Sequence, residues 1–104
     1  MKRVKRRYLA LQLESDGLPT GKEVIDSVWS AVTKLYGEHG ASLTSLSLID
    51  YDVAKKTAVI RASLATLKIV RASIATITSV AGKEAAVHVT AVSGTIKALH
   101  KKTQ

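Results

Sequence analysis

The order of hydrophobic and polar residues predicts a β-strand near the start of the chain and a helix after it. Residues 7–13 alternate between a leucine face and a more polar face, which is the period of a half-buried strand. Gly17 and Pro19 interrupt this pattern. A Thr-x-x-Glu capping box then begins at Thr20 and predicts the start of a helix. The apolar positions with helical spacing in this segment are Val24, Ile25, Val28, Trp29, Val32, Leu35 and Tyr36.

The rest of the chain predicts a similar succession of elements. Residues 41–51 and 57–63 are expected to form two strands joined by a turn. A second helix is expected to start at Leu64 or Thr66 and to run to Val80. A fourth strand covers residues 85–92, and residues 95–100 have room for one or two further helical turns. The two helices are expected to end at Gly37 and Gly82.

The predicted order is strand, helix, strand, strand, helix, strand, which indicates an α+β protein of the ferredoxin-like type. This β-α-β-β-α-β arrangement, shared with RNA-recognition motifs, has a four-stranded antiparallel sheet with both helices on one face. We expect a single domain at residues 7–99, between a basic arm at 1–6 and a basic tail at 100–104.

Two surfaces of this predicted fold are less polar than a surface exposed to solvent usually is. The second and fourth strands are apolar on both faces, so we expect the C-terminal segment, a partner chain or both to cover part of the open face of the sheet. The second helix also has a surface of small residues, which suits either close packing or ordinary exposure. Its members are Ala65, Ala72, Ala75 and Ser79.

Composition excludes several classes of protein. The chain has 104 residues and no cysteine, so it fits one domain and holds no disulfide, zinc-finger, iron–sulfur or thiol-catalytic site. No apolar stretch approaches the ~18 residues of a membrane span. The basic start imitates a signal peptide, but its apolar part is too short. We therefore expect a soluble, cytoplasmic protein that does not enter a membrane.

Charge indicates a polyanionic partner. There are 16 Lys and Arg residues against 8 Asp and Glu, a net charge of +8, and the excess lies in residues 53–104. Basic residues also cluster at both ends of the chain, and phosphates favour such clusters through counterion release. An anionic membrane surface is the weaker alternative. The clusters are Lys2, Arg3, Lys5, Arg6 and Arg7 at the start, and Lys97, His100, Lys101 and Lys102 at the end.

No pattern predicts catalysis or a metal site in this chain. Residues 17–23 resemble a phosphate-binding loop but lack one residue between the glycines, and Glu23 stands where Ser or Thr would bind magnesium. Asp50 and Asp52 are better explained by a turn between strands. The three histidines, His39, His88 and His100, are far apart in the sequence.

The pattern also differs from that of a typical reader of single-stranded RNA. In RNA-recognition motifs the third strand carries aromatic side chains that stack on bases. Here that strand, residues 57–63, has no aromatic residue and a single charge, Arg61. Base stacking on the sheet is therefore disfavoured, whereas binding through phosphates and RNA shape remains.

The chain resembles ribonuclease P protein component 2 of archaea, a family related to a small subunit of the eukaryotic enzyme. The resemblance extends from Arg7 to about Leu99. It rests on the order and spacing of four segments, of which the last is the most distinctive: Arg-Tyr-Leu at 7–9, Tyr-Gly-Glu-His-Gly at 36–40, Ile-Arg at 60–61 with Val-Arg-Ala at 70–72, and Val-Ser-Gly-Thr-Ile-Lys-Ala-Leu at 92–99.

This resemblance implies a ferredoxin-like fold and a role in the ribonucleoprotein that removes the 5′ leader from precursor tRNA. In that family the RNA is the catalyst and uses metal ions, so magnesium is expected at the RNA and no cofactor on this chain. The implied partners are the catalytic RNA, precursor tRNA and the TIM-barrel-like ribonuclease P protein component 3, in a two-plus-two assembly.

The residues expected to neutralise RNA phosphates follow from the basic clusters and this resemblance. They are Lys2, Arg3, Lys5, Arg6, Arg7, Arg61, Arg71, Lys97, Lys101 and Lys102. Arg61 and Arg71 have a structural alternative, which is an ion pair with Glu38 or Asp50. Two other functions remain open: a different basic RNA-binding protein of ribosomal or chromatin type, and a ferredoxin-like regulatory module with a concave polar pocket for a small ligand.

Overall fold

The structure of the protein, a computed structural model, describes residues 5–103, with side chains described for residues 5–101. Five strands and three α-helices follow one another in this part of the chain, and a 3-10 turn at Leu64–Thr66 precedes the second helix. The elements are β1 (Arg6–Ser15), α1 (Gly21–Ser42), β2 (Ser47–Asp52), β3 (Thr57–Ser63), α2 (Leu67–Ala75), β4 (Ser79–Val80), β5 (Lys83–Ser93) and α3 (Ile96–Thr103).

The sheet has the order β2-β3-β1-β5-β4, and every neighbouring pair is antiparallel. Its four longer strands, with α1 and α2 as the two crossovers, have the ferredoxin-like topology that the sequence predicted. The sheet has five strands instead of the predicted four, because the short β4 pairs with the start of β5.

The predicted second helix is too long, since α2 ends at Ala75. A hairpin replaces its last part: Ala81 and Gly82 have φ angles of 55° and 80°, the left-handed pair that a two-residue turn needs. Residues 76–78 are also β-branched, which weakens a helix at this point.

The main core lies between the sheet and the helices α1 and α2. The leucine face of β1 is buried, as the alternation predicted, and so is Ile60 on β3. On α1 the buried stripe is narrower than predicted, because Trp29, Leu35 and Tyr36 are 42%, 48% and 43% exposed. The buried residues that α1 and α2 contribute to the core, opposite the sheet, are Val24, Val28, Val70 and Ile74.

The connection between α1 and β2 differs from the predicted strand at residues 41–51. Gly37 leaves the helical conformation with φ 77°, as expected, but the helix resumes and continues to Ser42. Ala41 is therefore buried in a helical turn, and Thr44 caps it by donating its hydroxyl to the Ala41 carbonyl at 2.6 Å. The second strand consequently begins only at Ser47.

Helix α3 packs against β1 and β5. Leu99 on this helix is buried but does not belong to the main core. Ala10, which points away from α1 and α2, is also buried. The C-terminal helix thus covers part of the face opposite α1 and α2, here called the open face, as the two-sided apolar strands predicted. None of the helices in residues 5–103 is long and apolar enough to cross a lipid bilayer.

Candidate nucleic-acid interface

The antiparallel sheet brings basic residues from both termini to one end of the molecule. Arg6 at the start of β1 pairs with Ser63 at the end of β3, and Tyr8 pairs with Ser93 at the end of β5. Helix α3 begins three residues after that, at the same end. We call the cations gathered there the basic end: Lys5, Arg6, Arg7, Arg61, Lys97 and Lys101.

Backbone contacts hold the N-terminal cations against the neighbouring strands. The Lys5 carbonyl accepts a hydrogen bond from the Leu64 amide at 2.8 Å, which fixes Lys5 beside the end of β3. A Cβ on Gly94 would stand 3.6 Å from a guanidinium nitrogen of Arg7. The start of β1 therefore lies directly against the β5–α3 junction, and the N-terminal and C-terminal cations form one surface.

Arg61 lies on the open face of the sheet, opposite Tyr8 on β1 and Ser47 on β2. Its Nε is buried and has no hydrogen-bond partner among the described residues. A guanidinium held in this way keeps donors available for an incoming acceptor. Arg61 is thus a partly buried cation within the basic end.

Tyr8 is a candidate that the sequence analysis overlooked. Because Leu9 faces the core, Tyr8 lies on the open face, beside Arg61. The third strand has no aromatic residue, but the adjacent first strand supplies one at the same end. The alternation of residues 7–13 already indicated this face, so the signal was present in the sequence.

Helix α3 directs its lysines to solvent. Thr95 begins the helix by accepting a hydrogen bond from the Ala98 amide at 3.1 Å. The buried Leu99 fixes the orientation of the helix. Lys97 and Lys101 are one turn apart and both lie about 160° around the helix from Leu99. Both lysines are exposed.

No carboxylate lies within 4.0 Å of any cation of the basic end in the described residues, where the single ion pair joins Glu14 and His88 at 3.5 Å. The alternative pairing of Arg61 or Arg71 with Glu38 or Asp50 is therefore not formed in the described part of the chain. Within the described residues, the basic end is therefore a concentration of positive charge with no carboxylate in contact.

The remaining predicted contacts lie elsewhere. Arg71 is on α2, where it lines a groove beside β5 together with Ile74 and His88. It stands apart from the basic end. Lys2, Arg3 and the side chain of Lys102 lie outside the described residues.

The described residues contain no group of three or more His, Asp or Glu side chains placed to hold a metal ion. A groove of about 670 Å³ lies between α1 and the α2–β4 connection and is open to solvent. The basic end, by contrast, offers a concentration of positive charge, which suits contact with phosphates.

Comparisons with known proteins assign a family over almost the whole chain. Residues 7–104 match the model described as the Rpp14/Pop5 family. The chain is 35% identical to ribonuclease P protein component 2 of Pyrococcus abyssi, over 96% of this chain and 85% of that protein. It is 32% identical to the protein of that name from Pyrococcus horikoshii, over 96% and 83% of the two chains.

A structural comparison gives the same fold. One chain in the cryo-EM structure of yeast ribonuclease MRP superposes with a TM-score of 0.73, over 91% of this chain and 78% of that chain. Sequence identity is 19%. At that identity the likeness concerns the fold.

Proposed function

Because this chain belongs to the Rpp14/Pop5 family, we propose that it is a noncatalytic protein subunit of ribonuclease P, which removes the 5′ leader from precursor tRNA. The observation that carries the molecular part of this proposal is the basic end. Its six described cations come from two strands, the N-terminal segment and α3, and none has a carboxylate partner in the described residues.

The proposed mechanism is electrostatic. Phosphates of the catalytic RNA, or of the precursor tRNA bound to it, contact the basic end, and counterions are released. The protein then replaces part of the magnesium that compact RNA needs to offset phosphate repulsion. Bond cleavage itself takes place at the RNA, with magnesium ions bound there. This role would place the chain in the cytoplasm with the RNA.

A protein partner is also part of the proposal. Trp29 and Tyr36 are half-exposed and lie two turns apart on the same side of α1, and exposed aromatic residues of this kind are common in protein interfaces. We assign as the partner the TIM-barrel-like protein component 3, in a two-plus-two assembly. The exposed aromatic residues support a protein contact on this side of the molecule, away from the open face.

Reconstitution tests this function. The catalytic RNA is combined with the barrel subunit, with and without this chain, and cleavage of precursor tRNA is followed across a magnesium titration. We expect the chain to lower the magnesium concentration at half-maximal cleavage. The proposal fails if the chain leaves the titration curve unchanged.

A further inference from the structure

The outer edge of β5 is a free strand edge. Strand β4 pairs with β5 only at Lys83 and Glu84, and the next contact on that side is the Ala85 amide bonded to the Thr78 carbonyl at 3.0 Å. From residue 86 onwards, no strand in the described part of the chain pairs with this edge.

The backbone of two valines points outward at this edge. The Ala10 carbonyl accepts a hydrogen bond from the Thr90 hydroxyl, so the backbone N–H and C=O groups of even-numbered residues on β1 point toward β5. Ala86 and His88 pair with even-numbered residues of β1, and their own backbone groups therefore point toward β1. Because backbone groups alternate along a strand, the N–H and C=O of Val87 and Val89 face outward.

A groove runs beside this edge. It has a volume of about 350 Å³ and separates residues 86–89 of β5 from helix α2. Ile74, Ala75 and Ile77 form its apolar wall, and the small side chain of Ala75 leaves room in it. Arg71, which is exposed, contributes the groove's charge on the side of α2.

The opposite edge of the sheet, at β2, is protected against the addition of another strand, whereas the edge at β5 is not. Strand β2 has an irregular register between Leu48 and Asp50, and it presents two carboxylates, at Asp50 and Asp52. Bulges and charges are the features by which natural sheets prevent strand addition. Residues 85–93 of β5 contain no Asp, Glu, Lys, Arg or Pro.

We propose that this edge binds a short extended segment of a partner protein, which adds a strand alongside residues 86–89 of β5. Its backbone pairs with Val87 and Val89, an apolar side chain enters the groove against Ala75, and a carboxylate lies beside Arg71. The site is separate from the basic end and does not depend on the RNA role. It also gives Arg71 a protein ligand instead of a phosphate.

Charge favours such a segment over a second copy of this chain. If two copies paired through this edge, residues 85–93 of the other copy would lie beside the groove, and these residues supply no carboxylate for Arg71.

Peptide binding to the full chain tests the proposal by amide NMR. The probe is an acetylated eight-residue peptide that alternates Val and Thr, with Glu in place of one Val. At about ten times its Kd, the Val87 and Val89 amides should exchange with deuterium about tenfold more slowly. A matched peptide with Lys in place of Glu should bind about fivefold more weakly. The Arg71→Glu variant should reverse that preference.

Two N-methylated peptides provide the control for strand addition. Methylation of the alternate amides that face β5 should abolish binding, whereas methylation of the others should preserve it. Equal binding of both peptides, unchanged exchange at Val87 and Val89, or shifts centred on β2 would each overturn the proposal. So would protection of the two valine amides without peptide, accompanied by a dimer in sedimentation, because the occupant would then be a second copy.

Discussion

The two ends of the sheet both carry charged side chains, but they use them differently. The end where β1 finishes, here called the mixed end, contains both carboxylates and lysines, and several polar groups there form hydrogen bonds. The carboxylates include Glu14, Glu23 and Asp52, and the lysines include Lys22, Lys55 and Lys83. At the basic end, six cations lie together, and none of them has a carboxylate partner in the described residues. The contacts of the mixed end stabilise the chain, whereas the basic end is the surface that we propose to bind RNA.

The contacts of the mixed end illustrate the first case. Thr20 and Glu23 form a reciprocal capping box, with distances of 3.2 and 2.8 Å between side-chain oxygens and backbone nitrogens. The Tyr51 hydroxyl donates to the Pro19 carbonyl at 2.6 Å. The Lys56 ammonium donates to the Ser15 carbonyl. The first contact begins α1, and the other two join β2 and the β2–β3 turn to the end of β1 and the segment that follows it, so these polar groups have a structural role.

The charges of the basic end reduce the stability of the folded chain, in contrast to the contacts of the mixed end. Like charges held close together repel and reduce the stability of the folded chain. In the described residues, Arg6, Arg61 and Lys97 lie at one end with no carboxylate within 4.0 Å, so the fold retains a repulsion that a bound polyanion would reduce. The lysines of the mixed end also form no ion pair in the described residues, so the two ends differ in the carboxylates that lie among the cations. We infer that a concentration of cations, more than charge itself, marks the surface proposed to bind RNA.

The strongest test of this comparison removes three cations from each end. Arg6, Lys97 and Lys101 are replaced by Ala in one variant. Loss of three phosphate contacts should reduce the slope of log binding constant against log salt by about 2 to 3. The measurement is a filter-binding titration of the catalytic RNA at several potassium concentrations.

The matched control has the same net charge. It replaces Lys22, Lys55 and Lys83, which lie toward the mixed end, by Ala. Its salt slope should remain that of the unmodified chain. If both variants lose the same slope, net charge rather than the arrangement of the basic end controls RNA binding, and the distinction between the two ends is wrong.

A second prediction concerns the anchor of α3. Leu99 is 1% exposed, so Leu99→Ala should lower the free energy of unfolding by about 2 to 4 kcal/mol. Because this side chain orients Lys97 and Lys101, RNA affinity should fall as well, under conditions where the variant is still folded. Urea denaturation gives the stability, and the same RNA titration gives the affinity.

A cap at the mixed end separates stability from RNA binding. Thr20→Ala should lower the free energy of unfolding by about 1 kcal/mol, since it removes the capping box of α1. Its RNA affinity and salt slope should stay unchanged. Weaker RNA binding in the folded Thr20→Ala variant would contradict the assignment of this end to stability.

The sequence correctly predicted the elements that depend on neighbouring residues alone. The third strand agrees with the structure at both of its ends, Thr57 and Ser63, and the capping box at Thr20 is confirmed. The second helix was overextended because Ile77 continues the helical spacing of Ile74. The hairpin that displaces it depends on left-handed Ala81 and Gly82, and Ala is an unusual residue for such a position.

The candidate interface required the topology as well as the pattern. Both basic termini were visible in the sequence, but their meeting depends on the pairing of β1 with β5 and on the packing of Leu99. The position of Arg71 in the groove beside β5 and the burial of the Arg61 Nε are likewise tertiary features. A sequence without coordinates gives no sign of either.

The smallest predicted effect tests whether the mixed end is a coupled structural unit. Burial, and secondarily the negative charge of Glu23, raise the pKa of Tyr51 above its ordinary value of 10.0. The folded state thus binds the phenolic proton more tightly than the unfolded state does. The resulting stabilisation is complete below pH 10 and is lost as the pH rises through the folded pKa.

Comparison with Tyr51→Phe isolates this contribution from the titration of the lysines. The difference in unfolding free energy between the unmodified chain and the variant should be largest near pH 8 and should shrink above pH 10, as measured by urea denaturation across this range. Glu23→Gln should lower the Tyr51 pKa, because it removes the neighbouring negative charge, and ultraviolet titration of the phenol measures that shift. A stability difference that stays constant with pH would mean that folding does not raise the Tyr51 pKa. An unchanged Tyr51 pKa in Glu23→Gln would mean that Tyr51 and Glu23 are not coupled, and that the mixed end is a set of independent contacts. RNA affinity near neutral pH should be the same in both variants, since neither residue belongs to the basic end.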